Sequence, residues 1–371
     1  MSDAPIKVFV VAAMRSPLMR ERALIPHRAG LPTVIFDVHG LRPGQTYPED
    51  VEVIHVSSNV YLNKMLGPFV LWRALKRVNP DLVHVHWAAQ DFLNPMLARR
   101  HPLVVSTMGS DVMPEDGPRG LRGALVARLL KAADLITTKS AHMTREIAKR
   151  FLHGDDSKFE IVPWGVRDDF FAPKPINLRE QIGAGPDERI FLSIRAMEPR
   201  CRQVEILEQF IAYKKQTGST AHIAFTAFNV REKYFQTFTA LRDQAACKEQ
   251  IHILEPRNSE EMPSLLAAGD CIIHYAMADG LPQTLFESMA MGQFNIVPDL
   301  PHFEGLVRHK DNAFILHKDS DIQDAFAFVE QRPREPVEWN IQYAEQHLRK
   351  SVIDEALINR YRSLIQQVNA R

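Results

Sequence analysis

The sequence predicts an α/β protein built from two doubly wound domains. Three observations carry that expectation. The chain has 371 residues, more than one core commonly serves and suited to two domains of ~150–200 residues each. Both halves alternate short apolar runs with stretches of helical periodicity, the signature of parallel strands joined by crossover helices. Between the halves lies "VPWGVRDDFFAPKP" (162–175), whose three prolines and one glycine interrupt the pattern as a linker does.

Each element follows from its own residues. In the first half "KVFVVAA" (7–13), "TVIFDV" (33–38), "VEVIHV" (51–56), "DLVHVHW" (81–87), "LVVSTM" (103–108) and "DLITTKS" (134–140) read as buried strands. Helical periodicity fills 17–30, 62–78, 91–100 and 119–133 between them. In the second half "RIFLSIR" (189–195), "HIAFTAF" (222–228), "IHILEP" (251–256), "DCIIHYA" (270–276) and "FNIVPD" (294–299) read as strands. Helices are expected at 203–217, 230–246, 259–268, 283–291 and within 338–368. The expected domains are 1–165, joined by a C-terminal helix 350–371 that packs back on it, and 166–349.

Composition narrows the function classes. The apolar start "VFVVAAM" (8–14) is too short to span a bilayer and lacks a signal-peptide layout. Cys201, Cys247 and Cys271 are odd in number and form no C-x-x-C pair, which argues against a disulfide framework or structural zinc and for a reducing, cytoplasmic setting. Residues 1–165 carry 21 Lys and Arg against 16 Asp and Glu, whereas 166–371 carry 24 against 29. Such asymmetry suggests different partners for the two halves, and neither half is basic enough for nucleic acid to be the main ligand. No G-x-G-x-x-G follows a predicted strand, which disfavours a dinucleotide-dependent oxidoreductase.

The chemistry concentrates in "DCIIHYAMADGLPQTLFESMAMG" (270–292). A strand ends at a turn holding Asp279 and Gly280, Pro282 suits the first helical position, and Gly292 suits the residue after the helix. The first turn of such a helix offers unpaired amides and a positive dipole end, a ready site for an anion. Glu287, eight positions after Asp279, lies further along the helix. By spacing alone these acids fit equally a capped, ordinary strand–helix unit.

The longer stretch "ADGLPQTLFESMAMGQFNIVPDLPHFEGLV" (278–307) resembles the signature of glycosyltransferase family 4, densest from Gly280 to Gly292 and extending to Glu304. Weaker resemblance covers "VPWGVRDDFFAP", "FLSIRAMEPRCRQVEILEQF", "EEMPSLLAAGDCIIHYA", "PDLVHVHWA", "VVSTMGSDV" and "AADLITTKS". The resemblance implies a GT-B fold, two Rossmann-like domains facing each other across a cleft. It also implies a retaining hexosyltransferase-like enzyme that uses a nucleoside-diphosphate sugar without metal or other cofactor. It assigns Glu287 to ribose hydroxyls and Asp279 to the donor sugar. The amides of Gly280, Leu281, Pro282, Gln283 and Thr284 are assigned as a group to the sugar and diphosphate, although proline itself has no N–H to give.

The chain departs from the family pattern in places. The first signature acid is usually Glu, and Asp279 is shorter by one bond of ~1.5 Å. The phosphate-binding Lys falls on Cys201 and the Arg on Ala196, so Arg195, Arg200 and Arg202 are the candidates to supply that charge, Arg195 and Arg200 near the reacting phosphate and Arg202 as a donor contact. "FTAFNVREK" (225–233) lacks the family's Gly-x-Gly turn, and "AAMRSPLMRER" (12–22) replaces its Gly-Gly loop, with Arg15 as a charged substitute. Met108 stands where the family has a cleft histidine, while Asp111 remains as an acceptor or donor contact or as a cap. His84 and His86 alternate along a strand toward Trp87, and His86 is a candidate acceptor contact or a core histidine.

The expected partners are a nucleotide sugar and a saccharide or lipid-linked acceptor, with no nucleic acid. "YLNKMLGPFVLWRALKRVNP" (61–80) and "RGLRGALVARLLK" (119–131) interleave apolar and basic residues, either as a core-facing stripe with a solvated basic face or as peripheral contacts at the inner face of a membrane. The departures also admit a second reading: a catalytically weakened nucleotide-sugar-binding or regulatory protein on a GT-B scaffold.

Overall fold

Runs of β-branched and apolar residues buried on both faces make strands that only a parallel, helix-covered sheet can hold. In the computed structural model, which describes residues 5–57, 59–113, 117–276, 281–319 and 321–370, such strands assemble into two sheets. The first contains β1 (Val8–Ala12), β2 (Thr33–Asp37), β3 (Glu52–His55), β4 (Leu82–His86), β5 (Leu103–Ser106), β6 (Leu135–Thr138) and β7 (Phe159–Ile161). The second contains β8 (Ile190–Ser193), β9 (His222–Thr226), β10 (Ile251–Leu254), β11 (Cys271–Ile273), β12 (Phe294–Pro298) and β13 (Ala313–Leu316). The spatial orders are β3-β2-β1-β4-β5-β6-β7 and β10-β9-β8-β11-β12-β13, all pairs parallel. Each is a doubly wound sheet whose strand order reverses between its first and fourth strands.

The chain forms two compact units, 1–163 with 353–371, and 164–352. In the first unit, Leu357, Ile358, Tyr361 and Leu364 of the helix Lys350–Asn369 join Val8, Val10, Ile35 and Val104 in one core cluster. The Tyr361 hydroxyl reaches Nδ1 of buried His84, whose Nε2 lies 2.7 Å from the Ser106 hydroxyl. A polar contact inside that core pins the returning helix in one register. In the second unit, Phe191, Phe210 and Phe326 meet edge to face on one side of the sheet. Leu285, Phe286 and Met289 cover the other side.

The structure adjusts several expected boundaries. The helix at 17–30 divides into Pro17–Ala23 and Ile25–Arg28, because Pro26 offers no N–H to continue the first. The segment 91–100 forms only a turn of 3₁₀ helix, Asp91–Leu93, and a single turn, Asn94–Leu97. The strands β7 and β13 and the helix Asp321–Gln331 add to the elements read from the sequence.

Candidate active site

In an open parallel sheet, loops at the carboxyl ends of strands diverge where the strand order reverses, and ligands lodge there. In the second unit those strands are β8 and β11. β8 leads into the loop holding Arg195, Arg200 and Arg202, and β11 leads toward the helix Gln283–Ala290. Asp279 and Gly280 lie outside the described residues.

Leu281 has a φ of 25°, left-handed for a residue with a side chain, and is buried in the core. Such backbone costs ~1–3 kcal/mol and persists only where packing fixes it. Pro282 follows with ψ at 134°, so it stands at the N-cap position just before the helix, which starts at Gln283 as expected. It supplies no side-chain cap, and the amides of Gln283 and Thr284 have no intrahelical acceptor. The helix ends as expected. Gly292 has a φ of 69° and its N–H reaches the Met289 carbonyl, while Gln293 N–H reaches Ser288, the paired bonds of a Schellman motif.

Behind the helix start lies His274, 3% exposed. Asn295 Nδ2 donates to the Gln293 carbonyl at 3.0 Å, so Asn295 Oδ1 is the acceptor facing His274 Nε2 at 3.1 Å. That fixes the neutral tautomer with its proton on Nε2 and leaves Nδ1 to accept from the Thr284 hydroxyl at 3.4 Å. Burial, reinforced by Arg195, pushes the histidine down to about 3, so it stays neutral. Thr284 and Asn295 thus meet one buried ring that lies within the field of Arg195. Buried Gln203 holds the loop from below, donating to the Arg195 carbonyl at 2.9 Å while accepting from Ser193.

Glu287 sits one turn after Gln283, half-buried. Burial pushes its carboxyl up to about 7, opposed by Arg167 and by a hydrogen bond from Gln283. Gln283 also donates to the Gly165 carbonyl at 3.2 Å. A carboxylate with so little compensating charge accepts hydroxyl protons readily, because each new donor relieves its desolvation.

The three arginines differ in what they face. Arg200 is exposed, with Glu198 at 3.5 Å. Arg202 is forked onto Asp319 at 2.9 and 2.8 Å and stacks on Tyr275 at 4.3 Å, so its charge is already met within the protein. Asp319, held down to about 2 by Arg202 and by the Tyr275 hydroxyl, stays ionised. Arg202 was expected as a donor contact; here its fork is turned to Asp319. Cys201, at the family's lysine position, is buried and its thiol is pushed up by desolvation.

In the first unit, Arg15, His39, Trp87, Gln90 and Arg122 line a cavity of about 260 Å³ fed by the loops after β1 to β4. Trp87 adopts a φ of 71°, strained backbone for a bulky residue, as the chain leaves β4. His86 does not line this cavity. It is fully buried beside His84, ring centroids 4.0 Å apart, with neither ring nitrogen bonded among the described residues. Burial holds it well below its ordinary value, so the expected acceptor contact is a neutral core residue. Asp111 takes the second of its two readings, the cap. Both its oxygens are taken by backbone N–H groups of Met108 at 2.9 Å, Gly109 at 3.0 Å and Ala88 at 2.6 Å, with no exposure. It caps the loops from within.

Sequence reasoning missed His274, Gln203 and Asp319. His274 stood at the strand end of the signature stretch and carried a signal; Asp319 lies 117 positions from its partner Arg202 and carried none.

A strand-order reversal flanked by a helix start without a side-chain cap, a half-buried carboxylate and an arginine is an arrangement suited to an anionic ligand. Residues 3–170 match the family model described as Glycosyltransferase Family 4, and residues 176–346 match that described as Glycosyl transferases group 1. The chain belongs to glycosyltransferase family 4. It is 23% identical over 282 residues to UDP-Gal:alpha-D-GlcNAc-diphosphoundecaprenol alpha-1,3-galactosyltransferase of Escherichia coli, covering 73% of this chain and 70% of that one. Its fold is similar to that of Anabaena HepE in complex with UDP and glucose, with a TM-score of 0.76, 16% identity, and 97% and 100% of the two chains covered. Sucrose-phosphate synthase from Thermosynechococcus elongatus gives a TM-score of 0.77 at 13% identity, with 98% and 100% covered.

Proposed function

We propose that the chain moves a hexose from a UDP-sugar to a hydroxyl of a saccharide or lipid-linked saccharide, with retention of configuration and without a metal. The observation that carries this reading is the pairing, at the β8/β11 reversal, of an uncapped helix start with Glu287. Glu287 accepts the ribose hydroxyls. The amides of Gln283 and Thr284, with Arg195, meet the diphosphate and stabilise the charge that grows on it as the sugar bond breaks. Asp279 orients the donor sugar. The departing phosphate takes the proton of the acceptor hydroxyl on the same face. The choice of UDP is supported by the UDP-Gal named for the Escherichia coli relative and the UDP bound in HepE.

A lipid-linked acceptor is supported by the helix Val60–Val78. It exposes Tyr61, Leu62, Met65, Leu66, Phe69 and Trp72, followed by Arg73 and Lys76, with Lys76 over the Trp72 ring at 4.3 Å. Its Pro68 also lines the Arg15 cavity. No helix among the described residues is long and apolar enough to cross a membrane. This apolar and basic face suits peripheral contact with an anionic inner leaflet. Flotation with anionic liposomes should carry the protein upward; recovery wholly in the soluble fraction would remove the membrane contact.

The test of the transfer is incubation with UDP-, GDP-, ADP- and dTDP-hexoses and a diphospholipid-linked sugar, followed by product analysis. UDP-hexose is the expected donor. The buried Cys201 and the neutralised Arg202 favour the second reading, a weakened binding protein. UDP binding with no turnover of any matched donor and acceptor would select it.

A further inference from the structure

The strands of the second sheet also have a basic end. Where the chain enters β8, β11 and β12, a cavity of about 370 Å³ opens, at the opposite strand ends from Arg195 and Gln283. Arg179, Arg189, Arg332 and Arg334 line it, with Asp270 and Glu335 the carboxylates among the lining residues. Asp270 alone answers three of the arginines: Arg179 at 3.1 Å, Arg334 at 3.2 Å and Arg189 at 3.6 Å. Arg332 makes no ion pair among the described residues. It lies over the Phe294 ring at 4.8 Å and turns one nitrogen to the carbonyls of Pro333 and Glu335, at 3.1 and 3.3 Å.

Positive charge therefore accumulates without matching negative charge. Desolvation and mutual repulsion hold Arg189 and Arg332 below their ordinary values. Backbone carbonyls take many of the donors, those of Gly185 and Glu188 on Arg179, of Pro186 and Glu188 on Arg334 and of Arg332 on Arg189, but a carbonyl carries no net charge to offset a guanidinium. Guanidinium forks in a half-dry pocket match the oxygens of a phosphoryl group two at a time. Pro173, Pro333 and Pro336 form part of the wall, so the rim is set before a ligand arrives. The volume is at the lower end of small-ligand sites, ~300–1,000 Å³.

We propose that this cavity binds a small phosphate-bearing anion, at a site separate from the sugar-nucleotide site and not required for the transfer chemistry. The cavity wall includes Gly292, whose carbonyl accepts from Val337 N–H at 2.7 Å, directly after the helix that carries Glu287. An anion seated there would bear on that helix from its C-terminal end.

The test is isothermal titration of the full chain with pyrophosphate at fixed ionic strength, in the wild type and in Arg332→Gln, Arg334→Gln and Arg195→Gln. Arg332→Gln removes a guanidinium without stranding a carboxylate, and far-UV circular dichroism checks that each variant is folded. Pyrophosphate should bind the wild type in two phases, one weakened in Arg195→Gln at the sugar-nucleotide site and the other at least tenfold weaker in Arg332→Gln and Arg334→Gln. Absence of binding to the wild type, or affinity unchanged in both cavity variants, would overturn the proposal. Loss in Arg195→Gln alone would place the anion at the sugar-nucleotide site and overturn it equally.

Discussion

The two sheets share one strand order but treat their reversal points differently. At the first, acidic groups are turned inward. Asp37 accepts from Met14 and His39 N–H and from the Tyr47 hydroxyl, and Asp111 accepts from three backbone amides. At the second, Glu287 is half-buried with weak compensation, and the helix start has no side-chain cap. The same scaffold thus uses carboxylates to hold loops in one unit and leaves one under-satisfied in the other. Under-satisfied polar groups mark where a ligand completes the structure.

The largest expected effect is on the satisfied side. Asp111→Ala strands three buried amides and should lower stability by about 3 kcal/mol, read by chemical denaturation. A loss below about 0.5 kcal/mol would mean that the loops hold themselves and the contrast between the units is false. Gly292→Ala comes next. A Cβ there would meet Ile341 at 2.8 Å and Pro336 at 2.9 Å on left-handed backbone, so a loss of ~2 kcal/mol is expected.

Glu287 sharpens the contrast through pH. Its folded-state value near 7 lies above that of the unfolded chain. The folded protein therefore holds a proton that the unfolded chain releases, and stability falls as pH rises from about 4.5 through 7. Glu287→Gln cannot lose that proton. It should be more stable than the wild type at pH 8 by about 1–2 kcal/mol, after allowance for partial exposure, and equal to it at pH 4.5. Equal melting temperatures at both pH values would show that the carboxylate is not strained. The smallest effect is expected at Arg200, exposed beside Glu198: Arg200→Ala should change stability by less than ~0.5 kcal/mol.

What the sequence revealed follows the same division. Strands such as "KVFVVAA" and "HIAFTAF" are legible because burial on both faces demands unbroken apolar runs. β7, only Phe159–Ile161 and partly exposed, lacks that demand, and β13 is a buried run of only four residues entered directly from the polar "RHKDN"; neither was read. The helix that carries Glu287 and its Gly292 end were legible because their signals are local. His86 and Asp111 each kept two readings because burial is a tertiary property: a histidine at a strand end looks the same whether it faces a ligand or another histidine. The ion pair of Arg202 was not legible because Asp319 arrives from a distant loop.

The central claim is that the β8/β11 reversal holds a uridine nucleotide through Glu287. Calorimetric titration of UDP into the wild type and Glu287→Ala at pH 8 tests it most directly. We expect wild-type binding and a loss of at least tenfold in the variant, about 1.4 kcal/mol or more. Unchanged affinity in a folded Glu287→Ala protein would contradict the claim.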